Sequence, residues 1–405
     1  IICPLPETPV KLADIPSSGT LGQNSGMVAM DGMLYFDANT PKSQLWQYDP
    51  STDSISEITS ISQSSSYGGQ VAKFGGFATL EHILYFDATE SATGTELWAY
   101  SPLNDTYWMI EDIRPGSGSS KPGSSTGLVP MSGKLWFNAE DGTRGNELWS
   151  YDPASGTAEM VTDLSPGSSG SSPGVFSGLV PISNRWLLFD ADDGMSGIEP
   201  WVYDTLTGYT ALLGDINPGT SPSLPGYLLP FMHVGDHIVF DASDQTHGTE
   251  LWAIDKTSQN WEATLVCDIW QGSSSGQPNS GSDEPAVIGD RIYFSARDQT
   301  HGSELWSFNS VDQTCTRNSD IRPGSQGSNP GSVSRGFHNI AGIIAFSAND
   351  GTSGNELWFY SPENSTPWLA ADLTSGAISS YPGQYSGFTT TDEGHAYFTA
   401  SSSGS

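Results

Sequence analysis

Eighteen carboxylates recur at three fixed places along the chain, and they are the groups best suited to chemistry. The first set, Glu96, Glu147, Glu199, Glu250, Glu304 and Glu356, precedes Leu-Trp or Pro-Trp. Six residues upstream of each stands a loop acid: Glu90, Asp141, Asp193, Asp244, Asp298 and Asp350. Sixteen to eighteen residues downstream stands a third: Asp112, Asp163, Asp215, Asp268, Asp320 and Asp372. Two readings of such a triplet are open. In one, each carboxylate accepts hydrogen bonds from backbone N–H groups of nearby turns, an ordinary task for acids at Asp-Gly and Pro-Gly bends. In the other, each triplet holds Ca²⁺, a hard cation that takes carboxylate and carbonyl oxygens in flexible geometry. Two carboxylates about 6 Å apart repel by roughly 3 kcal/mol at an effective dielectric near 20. No Lys or Arg keeps a fixed place in the repeat to offset this, although no triplet matches a known calcium-loop spacing.

Acid pairs could also serve a polysaccharide-active enzyme. Catalysis by carboxylates, however, needs two groups whose environments drive their proton affinities apart, and these acids are near-identical copies. No H-E-x-x-H or P-loop is present. The residues that do break the repeat, Arg185, Pro200, His233, His237 and Trp270, form no known constellation. The reading is therefore non-catalytic. His247 and His301 lie in two Asp-Gln-Thr-His-Gly loops and are read as loop filling, since neither has a Cys or second His beside it.

The elements that must carry these acids follow from a period. The anchor tryptophans Trp46, Trp98, Trp149, Trp201, Trp252, Trp306 and Trp358 are spaced 51–54 residues apart, the signature of a propeller, solenoid or array. Each copy reads as four short strands. In the third they are expected over Gly127–Met131, Lys134–Asn138, Glu147–Tyr151 and Ala158–Leu164, with turns at Ser132-Gly133, Asp141-Gly142-Thr143 and Asp152-Pro153. The link Ser165–Ser177, rich in Gly and Ser, leads to the next copy. Radial repetition of four-stranded units makes an all-β, eight-bladed β-propeller of antiparallel blades the expected fold, one domain over 1–405. Eight copies of the second strand occur but only seven anchors. The last blade is therefore expected to be shared, the C-terminus giving its first two strands and Ile1–Ile15 the rest, which would hide the sheet edges. Seven blades with ragged ends is the alternative. Phe36, Phe86, Phe137, Phe189, Phe240, Phe294, Phe346 and Phe398 are expected in the core with the tryptophans. The first copy carries Thr40, Gln44 and Ser60 where the others have acids, a joint loss that marks the three positions as one working set. With its shorter loop it leaves, beside the last blade, an acid-poor sector that could receive a partner.

Composition narrows the partners. Forty-six acids against 14 Lys and Arg give a formal charge of −32, which argues against nucleic acid and anionic lipid. No apolar run is long enough for membrane insertion. Cys3, Cys267 and Cys315 permit one disulfide of undetermined pairing. Asn104-Asp105-Thr106 and Asn364-Ser365-Thr366 are glycosylation sequons on expected turns, with Asn104 and Asn364 as acceptors. The start at Ile1 fits a processed product.

Stretches such as Asp320-Ile321-Arg322-Pro323-Gly324 and Asp350-Gly351-Thr352-Ser353-Gly354-Asn355-Glu356-Leu357-Trp358 resemble the ELWxxDGT repeat of large secreted microbial proteins. The likeness covers nearly the whole chain. The family's second Asp-Gly-Thr is replaced here by Tyr-Asp-Pro or Tyr-Ser-Pro, as at Tyr151-Asp152-Pro153 and Tyr360-Ser361-Pro362. The resemblance implies an extracellular repeat module and no particular activity. The expectation is a secreted, non-catalytic binding, adhesion or scaffold module that meets protein or glycan partners at the extracellular surface, self-association among them. A repeat subunit of an extracellular filament or surface layer is the alternative, and a polysaccharide-active enzyme the second.

Overall fold

Alternating apolar residues between Gly, Pro and Asp turns form strands along the whole chain. The computed structural model describes residues 26–39, 42–61, 70–258, 260–282, 284–385, 387–390 and 396–401, and these contain thirty strands and no helix. Seven four-stranded sheets span 27–57, 77–111, 129–160, 180–212, 232–267, 286–317 and 338–371, each an antiparallel meander with its strands in chain order. A two-stranded sheet, Phe388–Thr390 with Ala396–Phe398, follows. Four-stranded meanders in series are the blades of a β-propeller, and the chain is an all-β protein of that class. The expected partners of the two-stranded sheet, residues 1–15, lie outside the described residues, as do Cys3 and Thr40.

The third blade shows how the expected strands fare. They run over Val129–Met131, Lys134–Glu140, Asn146–Asp152 and Thr157–Met160. The fourth is shorter than the pattern implies, because the chain leaves the ladder after Met160: Val161 N–H still reaches Leu148 O, but Leu164 N–H turns to Glu147. Asp163 consequently lies in the link and not on a strand. Pairing of the second and third strands is the same wherever its register is resolved. Phe36, Phe86, Phe137, Phe240, Phe294 and Phe346 face Trp46, Trp98, Trp149, Trp252, Trp306 and Trp358.

The chain divides into two compact units, Ile1–Met195 with Trp201–Ala211, and Ser196–Pro200 with Leu212–Ser405, so that the boundary falls within the third strand of the fourth blade. In the first unit the opening strands of blades one, two and three are neighbours, and so are the closing strands of blades two and three. These blades thus stack face to face and bury both faces of the middle one. Leu84, Phe86 and Tyr100 of blade two pack with Tyr35 and Leu45 of blade one, whereas Tyr85, Leu97 and Ala99 pack with Leu135, Phe137 and Trp149 of blade three. Successive side chains of a strand point to opposite faces, which is why the second strands read as nearly continuous apolar runs. Tyr35–Tyr100 and Tyr85–Tyr151 repeat one ring contact at 6.0 and 5.7 Å. In the second unit, blades five and six share a core of Val239, Leu251, Ile292 and Phe294, and Tyr293 and Leu305 meet Ile344 and Phe346 of blade seven. Each fully buried Phe or Leu contributes about 1.5–3 kcal/mol. A disulfide, Cys267–Cys315, ties the closing strands of blades five and six, with Cα atoms 6.1 Å apart.

Candidate functional site

The glutamate before Leu-Trp is fully buried in all six blades that have it. It opens the third strand, and its carboxylate reaches across the end of the sheet into the link that leads to the next blade. Glu96 accepts the N–H of Ile113 at 3.1 Å, the N–H of Ser120 at 3.0 Å and the Ser120 hydroxyl at 2.6 Å. Glu147 accepts Leu164 N–H at 3.4 Å, Ser171 N–H at 2.8 Å and Ser171 O–H at 2.6 Å. Glu199 repeats this with Ile216 and Ser223, and Glu356 with Leu373 and Ser380. Glu304 takes five donors, from the Ser319 hydroxyl, Ile321 N–H, Arg322 N–H, and both the N–H and hydroxyl of Ser328. Glu250 takes the N–H groups of Ile269, Trp270 and Gly276. Gly276 replaces the serine there, and a Cβ at that residue would lie 2.6 Å from Glu250 Oε2. Each glutamate is a clamp that pins the beginning and the middle of a link to the sheet before it.

Blade one holds the start of its link at the same position without a charge. Gln44 Oε1 accepts Ile61 N–H at 3.1 Å and the Thr59 hydroxyl at 2.7 Å, while its Nε2 donates to Ile61 O at 3.3 Å. Ser60 lies outside the clamp and meets the Tyr107 hydroxyl of blade two.

A second buried row lies one strand inward and carries no turn motif that marks it in the sequence. The residue before the conserved-in-position alanine of the second strand is Asp37, Asp87, Asn138, Asp190, Asp241, Ser295 or Ser347, all buried. Asp87 accepts the N–H groups of Lys73, Phe74 and Gly75, Asp190 those of Phe176 and Ser177, and Asp241 those of Leu228 and Leu229. Asn138 and Ser347 take the equivalent N–H pairs, Ser125/Thr126 and Val333/Ser334. The glutamate holds the start of a link's final turn and this residue holds its end. The available signals were a polar residue inside an apolar strand and a serine 24 residues past the glutamate, before x-Pro.

The other expected acids take separate tasks. Asp141 accepts the N–H groups of Thr143 and Arg144, both at 2.8 Å; Asp350 accepts those of Thr352 and Ser353, both at 2.7 Å. Asp244 and Asp298 close their loops the same way and also meet His247 and His301 through Nδ1 at 2.8 Å, so both histidines fill loops. Asp193 accepts Met195 N–H, and Glu90 the Thr93 hydroxyl. Of the third set, Asp163, Asp215, Asp268, Asp320 and Asp372 are exposed and Asp112 is half-buried. Asp112 and Asp215 accept the N–H of Gly116 and Gly219 at 3.3 and 3.4 Å, and Asp320 lies 3.7 Å from Arg317. Among the described residues no three His, Cys, Asp or Glu stand together as a metal-binding group. Asn104 and Asn364 are exposed on turns between third and fourth strands, at the blade end opposite the glutamates.

The two rows differ electrostatically from the loop acids. Burial pushes Glu96, Glu199 and Glu250 up to about 7 and raises Glu147, with the serine and backbone donors pulling the other way. Burial also lifts Asp87 and Asp241 to about 7 and Asp190 to about 6. Against the pull of partial burial, donors within their own loops hold Asp141, Asp244, Asp298 and Asp350 below the usual carboxylate range.

No family model and no curated protein matches the chain. Among solved structures it is similar to a puromycin-hydrolyzing peptidase of Mycobacterium tuberculosis (9% identity, TM-score 0.41, covering 87% of this chain and 53% of that one). It is also similar to an oligogalacturonate lyase in complex with manganese (10%, 0.40, 93% and 94%) and to BamB from Moraxella catarrhalis (12%, 0.41, 94% and 90%). The chain thus spans about half the length of the peptidase. Likeness at this level carries no residue, activity or partner over to this chain.

Proposed function

We propose that the chain is an extracellular, non-catalytic module, a propeller scaffold that presents its blade-end loops to a protein or glycan partner. The observation that carries the reading is the fate of the repeated glutamates. Each is fully buried and its oxygens are occupied by three to five N–H and O–H donors of the same blade and link, which leaves none of them to meet a substrate. Gln44 at the same position of blade one holds the start of its link without a charge, and so without need of a cation. The extracellular part is supported by the Cys267–Cys315 disulfide, a bond typical of oxidising compartments. It is supported also by the two exposed sequons, which lie at the blade ends away from the clamps and leave the clamp-side loops uncovered. Incubation with a panel of polysaccharides and peptides, assayed for new reducing ends or amines, is expected to yield no product. Turnover that one substitution abolishes without unfolding the protein would overturn the non-catalytic reading.

A further inference from the structure

Residues that depart from the repeat converge on one cavity of the first unit. It encloses about 500 Å³ beside blade two, within the range of small-molecule sites. The link before blade two lacks the x-Pro of the later links and reads Val71-Ala72-Lys73-Phe74-Gly75. Lys73 and Phe74 form one wall, the Lys73 ammonium 5.2 Å from the centre of the Phe74 ring. Lys121 forms another; the same place in the later links holds Ser172, Leu224, Gln277, Asn329 and Tyr381. Glu90 at the end of the second strand and Thr95 near the start of the third, with Gln70 and Ser119, complete it. In a chain with 46 acids and only 14 Lys and Arg, two lysines share this cavity with a single carboxylate. Both are exposed, and among the described residues neither ammonium has an ion-pair partner. A repeat holds its shape without them, since other blades dispense with both, so their place together is no requirement of the fold.

We propose that this cavity binds an acidic saccharide, a sugar bearing a carboxylate or sulfate. The two ammonium groups supply point charges for the anion. Phe74 offers an apolar ring edge to the sugar's C–H surface. Gln70, Ser119 and Glu90 offer the mixture of donors and acceptors that hydroxyl groups need. The proposal deepens the module reading above and rests on its binding role.

The test is calorimetric titration of the full chain with disaccharides bearing glucuronate, galacturonate or sulfate, their neutral counterparts, and inorganic sulfate alone. The variant is Lys73→Gln with Lys121→Asn; Asn329 already adopts, at φ 49°, the left-handed conformation that Lys121 adopts at the same angle, so the chain will fold. Saturable binding by an acidic disaccharide, absent for its neutral counterpart and at least about tenfold weaker in the variant, is expected, since tenfold is about 1.4 kcal/mol for the loss of two charges. Absence of binding by every acidic probe, equal binding of the neutral sugars, or an unchanged affinity in the variant would overturn the proposal. Inorganic sulfate binding as tightly as the disaccharides would overturn the saccharide part. Any of these results leaves the non-catalytic reading to its own turnover assay.

Discussion

Glu304 is the residue whose surroundings say most about the repeat. Five donors converge on two oxygens, and three of them are backbone N–H groups of a link that has no strand partner to offer instead. Removing the acceptor strands those groups in a buried place, where each unsatisfied donor costs on the order of 1–3 kcal/mol. Glu304→Ala is therefore expected to destabilise the chain by about 3 kcal/mol or more. Glu304→Gln, which keeps one carbonyl acceptor but turns its amide toward at least one backbone N–H, should cost about 1–3 kcal/mol. Urea denaturation of both variants measures this, and equal losses would contradict the clamp. The glutamates were visible in the sequence because each sits beside a tryptophan at a fixed period. Their partners were not, because a serine in a Gly/Ser-rich link looks like any other turn residue until the 24-residue spacing is noticed. Asp87, Asp190 and Asp241 escaped for a different reason: inside an apolar strand an acid looks like a solvent-facing position, whereas these three side chains are buried.

At the scale of the strand and the link, close backbone approach decides which residues fit. Gly145 ends the loop before the third strand with φ +75°, and a Cβ there would lie 2.4 Å from Gly170 N of the following link. Gly170 meets Asn146 in the same way, and a bridge joins the two segments. Gly145→Ala is thus expected to cost about 2 kcal/mol or more, from both the left-handed backbone and the lost approach. A melting temperature equal to that of the parent would show that the link can move aside. The disulfide acts between elements also. With Cys267 and Cys315 at a sequence separation of 48, the chain-entropy relation gives about 4 kcal/mol for the cross-link. Cys315→Ser, or reduction of the parent, should lower the denaturation midpoint accordingly. Strand boundaries were legible where turn chemistry brackets them, as at Ser132-Gly133. They failed at Val161–Leu164, where apolar residues continue but the backbone has turned to the clamp. The disulfide could not be paired from sequence, since nothing in the spacing of three cysteines tells which closing strands lie side by side.

For the molecule as a whole, the buried carboxylates set a pH dependence. Burial raises Glu96, Glu199, Glu250, Asp87 and Asp241 to about 7, whereas the same groups in the unfolded chain titrate near 4. Between these values the native state holds protons that the unfolded state has released. Stability therefore falls as pH rises from about 4 through about 7, while below about 4 it falls again with decreasing pH as Asp141, Asp244, Asp298 and Asp350, held low by their loop donors, take up protons. Self-repulsion among 46 acids acts in the same direction, but salt screens exposed charges far more than buried ones. Urea midpoints should fall between pH 5 and pH 8 and keep most of that slope at high salt. A slope that salt abolishes would assign the effect to the surface alone. The period and the blade were legible at this scale, and so was the repeated acid. What each acid touches was not, because separation along the chain says nothing of which oxygens a link's N–H groups will reach.

The central claim is that the glutamate row is held by the protein's own donors and not by a cation. A thermal melt of the parent and of Glu304→Gln, each with added calcium and with chelator, tests it most directly. Each protein should melt at one midpoint whether calcium is present or removed, with the variant below the parent by the same interval in both. A midpoint that calcium raises in the parent, as binding to the native state alone requires, and leaves unmoved in Glu304→Gln would contradict it.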